Sequence, residues 1–247
     1  MKRLLLFLCL FLLAGPVPAA GRLADVEIYD RVAGSALPIY ENNGHWFVAG
    51  RPGVEYQVII RNRERSDLLA VVSVDGVNVV TGETAASAQS GYVIEGGRRL
   101  FIGGWRKSLE KIAAFYFTDL GDSYAARTGR PDNVGVIGVA LFRRKVQSPV
   151  ELEQLKERAE SGASNDSVPR AAAPAMPEKK IGTGHGRSEH APARYVEFER
   201  ATDLPAEVIA IHYDTYANLV ARGVIREQRH LPSPFPGGFV PDPPERG

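Results

Sequence analysis

Leu68-Leu69-Ala70-Val71-Val72-Ser73-Val74-Asp75-Gly76-Val77-Asn78-Val79-Val80 is the stretch on which the fold turns. Two runs rich in β-branched residues are separated by Asp75-Gly76. A two-residue type I′ turn needs positive φ at both central positions, and Asp-Gly supplies it most cheaply. The stretch therefore predicts a β-hairpin. Upstream, Tyr56, Val58 and Ile60 alternate with Gln57, Ile59 and Arg61, which gives a strand with one apolar face. Asn62 to Asp67 is its polar connection to the hairpin. Shorter strands are expected around Val26 and Ile28, at Pro38 to Tyr40, and at Trp46 to Ala49, the last closed by Gly50, Pro52 and Gly53. Downstream, strands are expected at Tyr92 to Ile94, Leu100 to Ile102, Ala113 to Thr118 and Val134 to Phe142. The last run is apolar on both faces, as in the centre of a sheet, and its glycines permit close backbone approach. Helical turns are expected at Ser108 to Ile112 and Asp122 to Arg127. Many short strands punctuated by turn residues point to a mainly β fold, an antiparallel β-sandwich of jelly-roll or Greek-key type over residues 24–146.

The start of the chain has a different character. Lys2 and Arg3 precede an apolar run from Leu4 to Ala14, and Pro16-Val17-Pro18-Ala19-Ala20 forms a small-residue exit. Val17 and Ala19 have the −3 and −1 spacing that a signal peptidase accepts. Residues 1–20 are expected to be a secretory signal peptide, with the mature protein starting near Ala20 or Gly21 and residing in the periplasm or outside the cell. The apolar run is short for a bilayer span, and no second run of ~18 apolar residues follows. Cys9 is the sole cysteine. It reads as filler of the apolar run, because Leu8 stands where a lipid-anchor signal needs a small residue. The mature chain then has no disulfide, thiolate nucleophile or cysteine metal site. The formal net charge is +1, and Arg and Lys interleave with Asp and Glu along the chain. Nucleic acid is not an expected partner, since its binders concentrate basic residues on one face.

The remainder divides by composition. Ser148-Pro149-Val150-Glu151 is a capping box with proline at the first helical position, and it predicts a helix over 148–161 with Leu152, Leu155 and Ala159 on one side. Residues 162–193 are rich in Ala, Pro, Ser and Gly without an aromatic, and they predict a flexible linker. Residues 194–230 predict a small α+β segment of two strands and a helix. The strands fall at Tyr195 to Arg200 and Val208 to His212, and the helix is capped by Asp214 or Thr215 and closed by Gly223. This segment is expected to dock at a sheet edge. Six prolines from Leu231 onward predict a disordered tail over 231–247.

No catalytic or cofactor signature stands out, and no cofactor is expected. His185, Glu189 and His190 could meet a cation and support a metal-dependent hydrolase. Their spacing is nonetheless one residue longer than the H-x-x-E-H zinc signature, and solvation of the linker is the preferred reading of them. His212 sits in a strand pattern and reads as a half-buried core residue. Ser188 lacks the second glycine of a nucleophile elbow, and Gly103-Gly104-Trp105-Arg106-Lys107-Ser108 lacks the lead of a phosphate loop. The candidate binding residues are aromatics and arginines at strand ends: Trp105 with Arg106, Tyr124 with Arg127, and Trp46. Such pairs can form a partner-binding or sugar-stacking platform. The plainer reading is that Trp105 plugs the end of the sandwich with Arg106 stacked on it.

Several stretches resemble a family of uncharacterised exported proteins of Gram-negative bacteria. They are Leu69 to Val79, Gly91-Tyr92-Val93-Ile94, Gly104-Trp105-Arg106-Lys107-Ser108, Ser123-Tyr124-Ala125-Ala126-Arg127 and Asn133 to Gly138. Gly182-Thr183-Gly184-His185-Gly186, Phe198-Glu199-Arg200-Ala201 and Tyr213-Asp214 are similar to that family's C-terminal part. The resemblance implies a bacterial envelope setting, assigns no activity, and implies that the glycine–histidine stretch orders against the β domain. The function expected is a non-enzymatic binding module for another envelope protein. The alternatives are the metal-dependent hydrolase and a cell-wall glycan binder using Trp46 and Trp105.

Overall fold

The computed structural model describes residues 19–146 and 180–226. The helix expected at 148–161, the linker up to residue 179, the tail after 230, and all but the end of the leader lie outside the described residues. The strands are β1 (Ala24–Asp30), β2 (Ser35–Ala36), β3 (Ile39–Asn42), β4 (His45–Gly50), β5 (Glu55–Asn62), β6 (Leu68–Val74) and β7 (Val77–Asn78). They continue with β8 (Tyr92–Ile94), β9 (Arg99–Ile102), β10 (Gly104–Arg106), β11 (Lys111–Asp119), β12 (Val136–Arg143), β13 (Ile181–His190) and β14 (Glu207–Thr215). Two short helices are α1 (Tyr124–Arg127) and α2 (Tyr216–Ala221).

The fold is mainly β, with two sheets packed as a sandwich. One sheet runs β3-β4-β14-β12-β6-β7, with β8 also on β6. The other runs β10-β11-β5-β1-β2, with β13 on β11 and β9 on β5. The alternation of β5 places Tyr56, Val58 and Ile60 in the core, where they meet Val72, Val74, Ile137, Val139 and Ile211 from the facing sheet. Asp75 (φ 52°) and Gly76 (φ 72°) make the expected turn, and Val74 pairs with Val77. The run from Val134 does become an interior strand, β12, flanked by β6 and β14.

Three expectations need correction. Ile181–His190, expected within the flexible linker, is the strand β13. Its alternating glycines lie on a face with no room for side chains. A Cβ on Gly182 would lie 2.5 Å from the Ser123 Cβ, and one on Gly184 would lie 2.2 Å from the Tyr116 ring. Ile181 and Thr183, which point to the core, are buried. Second, the C-terminal segment does not simply add to an edge. β14 inserts between β12 and β4, antiparallel to the first and parallel to the second, so the sheet is mixed rather than purely antiparallel. Residues 24–146 therefore do not complete the sandwich, because β4 meets β12 only through β14. Third, the stretch Tyr195 to Arg200 is irregular, joined to the end of β12 through a bridge between Arg144 and Arg200. Phe198 alone finds an apolar site, against Leu69, Val71 and Phe142, while Tyr195 stays 88% exposed.

Smaller differences have local causes. Gly104–Arg106, which no expected strand included, is β10, where a Cβ on Gly104 would lie 2.1 Å from the Ala113 carbonyl oxygen. Ile112, expected in a helical turn, belongs to β11. Ala20, at the end of the expected leader, is buried and bridges Val26. α2 begins at the expected Thr215 cap, whose side chain accepts a hydrogen bond from Asn218 N, and Gly223 (φ 70°) follows it. No helix among the described residues is long and apolar enough to cross a membrane.

Candidate functional site

Trp105 lies on β10, and β10 pairs with β11 so that the indole turns into the core at one end of the sandwich. It is 4% exposed, and its Nε1 donates to the Gly184 carbonyl at 3.1 Å. Phe115 meets it edge-on at 5.1 Å, and the Tyr124 ring lies 4.8 Å away. A ring so enclosed offers no face to a ligand, and Arg106, expected to stack on it, lies instead over the Tyr92 ring at 5.7 Å. Arg106 is occupied as well. Its guanidinium donates to the Tyr92 hydroxyl at 3.2 Å and to the carbonyls of Ser108 and Ala191, tying β10 to β8 and to the end of β13.

The other candidates scatter. Tyr124 opens α1, capped by the Ser123 hydroxyl, and its ring sits between Trp105 and His185. Arg127 is exposed in the last turn of α1. Trp46 is half-buried in the opposite sheet, paired with Glu41 and Ile211. Among the described residues no ring contact joins it to Trp105 or Tyr124.

His185, Glu189 and His190 share β13 but face different partners. His185 packs on Tyr124 at 5.6 Å. The Glu189 carboxylate accepts from Arg31 at 2.9 Å and pairs with Arg187 at 2.6 Å. His190 Nδ1 lies 3.7 Å from Glu110. Pairing slips by one residue between Ala113 and Phe115, a bulge that breaks the alternation linking His185 to Glu189. Among the described residues no group of three or more His, Cys, Asp or Glu side chains could hold a metal ion.

A buried polar chain went unseen in the sequence. The Asp75 carboxylate, only 1% exposed, accepts from Gly135 N at 2.9 Å, Thr183 N at 2.7 Å and the Tyr213 hydroxyl. The Tyr213 hydroxyl lies 2.8 Å from Thr183 Oγ1, which lies 2.6 Å from the Tyr56 hydroxyl. Three hydroxyls, each donating once toward Asp75, satisfy one another and end on the carboxylate. Burial pushes the Asp75 carboxyl up to about 6, against the opposing pull of those donors. Burial and the neighbouring Asp75 charge likewise raise the tyrosines Tyr56 and Tyr213 well above the ordinary phenol range. The carboxylate is closed off from solvent, and its partners come from β13, β14 and Gly135 at the start of β12, with Tyr56 of β5 joined through Thr183. It anchors the strands of the C-terminal segment to the hairpin turn. Asp-Gly as turn chemistry concealed this second role.

A recess of about 380 Å³ lies beside this anchor, lined by Gly135, Lys180, His212, Tyr213, Asp214 and Arg222. Its charges are largely spoken for. Asp214 accepts from Thr215 N and Asn218 Nδ2 and lies 3.6 Å from Arg222. His212 is half-buried as expected, packed against His45 and Phe47, and burial lowers its pKa.

The edge strand β9 is the open feature. Asn62 N donates to Arg98 O at 2.9 Å, and the register then runs Arg61 opposite Arg99, Ile60 opposite Leu100 and Ile59 opposite Phe101. Leu100 and Ile102 turn inward, whereas the Phe101 side chain faces out and is 56% exposed. No family model matches this chain, and neither a curated protein nor a solved structure matches it.

Proposed function

We propose that this protein is exported to the bacterial envelope and acts there as a non-enzymatic β-sandwich binding module for another envelope protein. The contact is a sheet edge rather than the Trp105–Arg106 rim, whose side chains are already committed to the fold. The observation that carries this reading is β9, an edge strand with the aromatic Phe101 exposed beside it. Aromatic residues, phenylalanine among them, are enriched at protein interfaces relative to the rest of the surface. The leader-like start and the resemblance to exported Gram-negative proteins support the envelope setting. His185, Glu189 and His190 lack the convergence that a hydrolytic metal centre needs.

The test is crosslinked capture from the host envelope with the tagged full-length chain as bait. Truncation after Lys145 is unsuitable, since it removes β13 and β14. Wild type should retain one protein in near-stoichiometric amount, and Phe101→Asp should lower its yield about tenfold without changing the melting temperature. Equal capture by both baits would remove Phe101 from the interface. No protein captured by wild type would overturn the binding-module reading.

A further inference from the structure

Resting on the reading that the partner meets a sheet edge, we propose that β9 receives an extended acidic segment of that partner, which adds to the sheet as a further strand. In an antiparallel ladder, residues alternate between bonding the neighbour and pointing away from it. The bond from Asn62 N to Arg98 O sets that phase, so Leu100 and Ile102 direct their main chain to β5. The N–H and C=O groups of Arg99 and Phe101 then point away from the sheet. Among the described residues no strand lies beyond β9 on that side, and no hydrogen bond reaches those groups. The other edges are less open. β2 has two residues, Asn42 on β3 bonds to Gly223, and the outward Thr183 amide of β13 is taken by Asp75.

The charge pattern selects the partner. Arg61 and Arg99 stand directly opposite one another, and both are exposed. Like charges at facing positions repel, and Arg98 adds a further exposed cation at the head of β9. Asp25 faces Arg61 from β1, away from Arg99, and lies 3.4 Å from Arg63. Among the described residues none of Arg61, Arg98 and Arg99 forms an ion pair. A strand added beside β9 would place one residue opposite Arg99 and another, two positions along, opposite Phe101. A carboxylate at the first relieves the repulsion, and an aliphatic side chain at the second covers the ring. The addition is recognised by main-chain bonds and specified by those alternate side chains.

The probe is a capped peptide with Glu and Leu two residues apart in a run of Val and Thr, added to the ¹⁵N-labelled full-length chain. Amide exchange should slow at Arg99 and Phe101, and affinity should fall as salt is raised. Phe101→Ala and Arg99→Glu should each weaken binding about tenfold. A peptide with Lys in place of Glu should not bind, nor should one N-methylated along the edge that would face β9. Binding without protection of those two amides, or equal binding of the N-methylated peptide, would overturn strand addition. Failure of the acidic peptide alongside capture of an envelope partner would overturn this assignment while the binding-module reading stands. In that case Arg99 serves to blunt the edge against association. Failure of both would remove both.

Discussion

β13 and β14 come from the same stretch of chain, yet they enter the two sheets in opposite ways. β14 lies between β12 and β4, with Ile209, Ile211 and Tyr213 buried and Val208 and Ala210 exposed. β13 lies at the margin of the other sheet, and its first half is nearly side-chain-free on one face, packed under Tyr116 and Ser123. One strand is held by apolar volume and the other by the absence of volume. Asp75 joins them by accepting from the Thr183 amide of β13 and the Tyr213 hydroxyl of β14. Neither strand is an appendage: each is needed for the packing of the N-terminal part.

The largest effect should come from the volume side of this contrast. Ile211 is fully buried in β14, and Ile211→Ala should cost about 2–5 kcal/mol in urea unfolding, because the flanking strands cannot close the cavity. A cost below about 1 kcal/mol would mean that β14 is not the keystone of its sheet.

The junction should respond to pH. The Asp75 carboxyl holds its proton more tightly in the folded protein than in the unfolded one, since its pKa is raised from 3.8 to about 6. Stability contributed by this group therefore rises as pH falls through 6 toward 3.8, by on the order of 3 kcal/mol. Asp30, Glu55 and Glu64 act in the opposite sense, because hydrogen bonds and arginine neighbours lower their pKa values. Their contribution is present above the unfolded pKa and is lost as pH falls through the folded one. Comparing urea melts of wild type and Asp75→Asn at each pH isolates the Asp75 contribution. The gap between them should widen in favour of wild type on acidification, and a constant gap would show that Asp75 does not titrate in this window.

The close-packed side should be less sensitive but more specific. Gly182→Ala places its new carbon against the Ser123 Cβ, and should cost about 1–3 kcal/mol in thermal unfolding. Adding Ser123→Gly, a tolerated cap, should recover part of that loss, since Val134 Cγ1 still lies 2.7 Å from the new carbon. Failure of the double variant to recover would mean that the strand is not held by this contact. The smallest effect belongs to Phe101, which supports neither strand. Phe101→Ser should change stability by no more than about 0.5 kcal/mol, while diminishing partner capture.

What could be read directly follows from this contrast. The Asp75-Gly76 hairpin, the apolar face of β5, the interior run of β12 and the Thr215 cap of α2 are all local patterns of side-chain type, whereas β14 buries Ile209, Ile211 and Tyr213 rather than the alternate set Val208, Ala210 and His212. The face of β5 is legible because burial of alternate residues leaves a period-two record, and the turn and the cap because their backbone conformations call for particular residue types. β13 leaves no such record. Its Gly182, Gly184 and Gly186 look like linker composition until Tyr116, Ser123 and Ala114 are seen to need their space. The site residues divide in the same way. Trp105 could be picked out as important, but its burial against Gly184 depends on a strand not recognised in the sequence.

From the sequence alone came the β class, the lack of any cysteine downstream of Cys9 and the interleaving of basic and acidic residues. These depend on composition and on neighbours within a few residues. The tertiary structure alone decided that β14 runs parallel to β4, that Asp75 anchors strands more than a hundred residues away, and that Arg61 faces Arg99 across the β5–β9 ladder. Those outcomes depend on which distant strands come to lie side by side, and pairing is chosen by how both sheets bury their apolar faces together rather than by any local pattern.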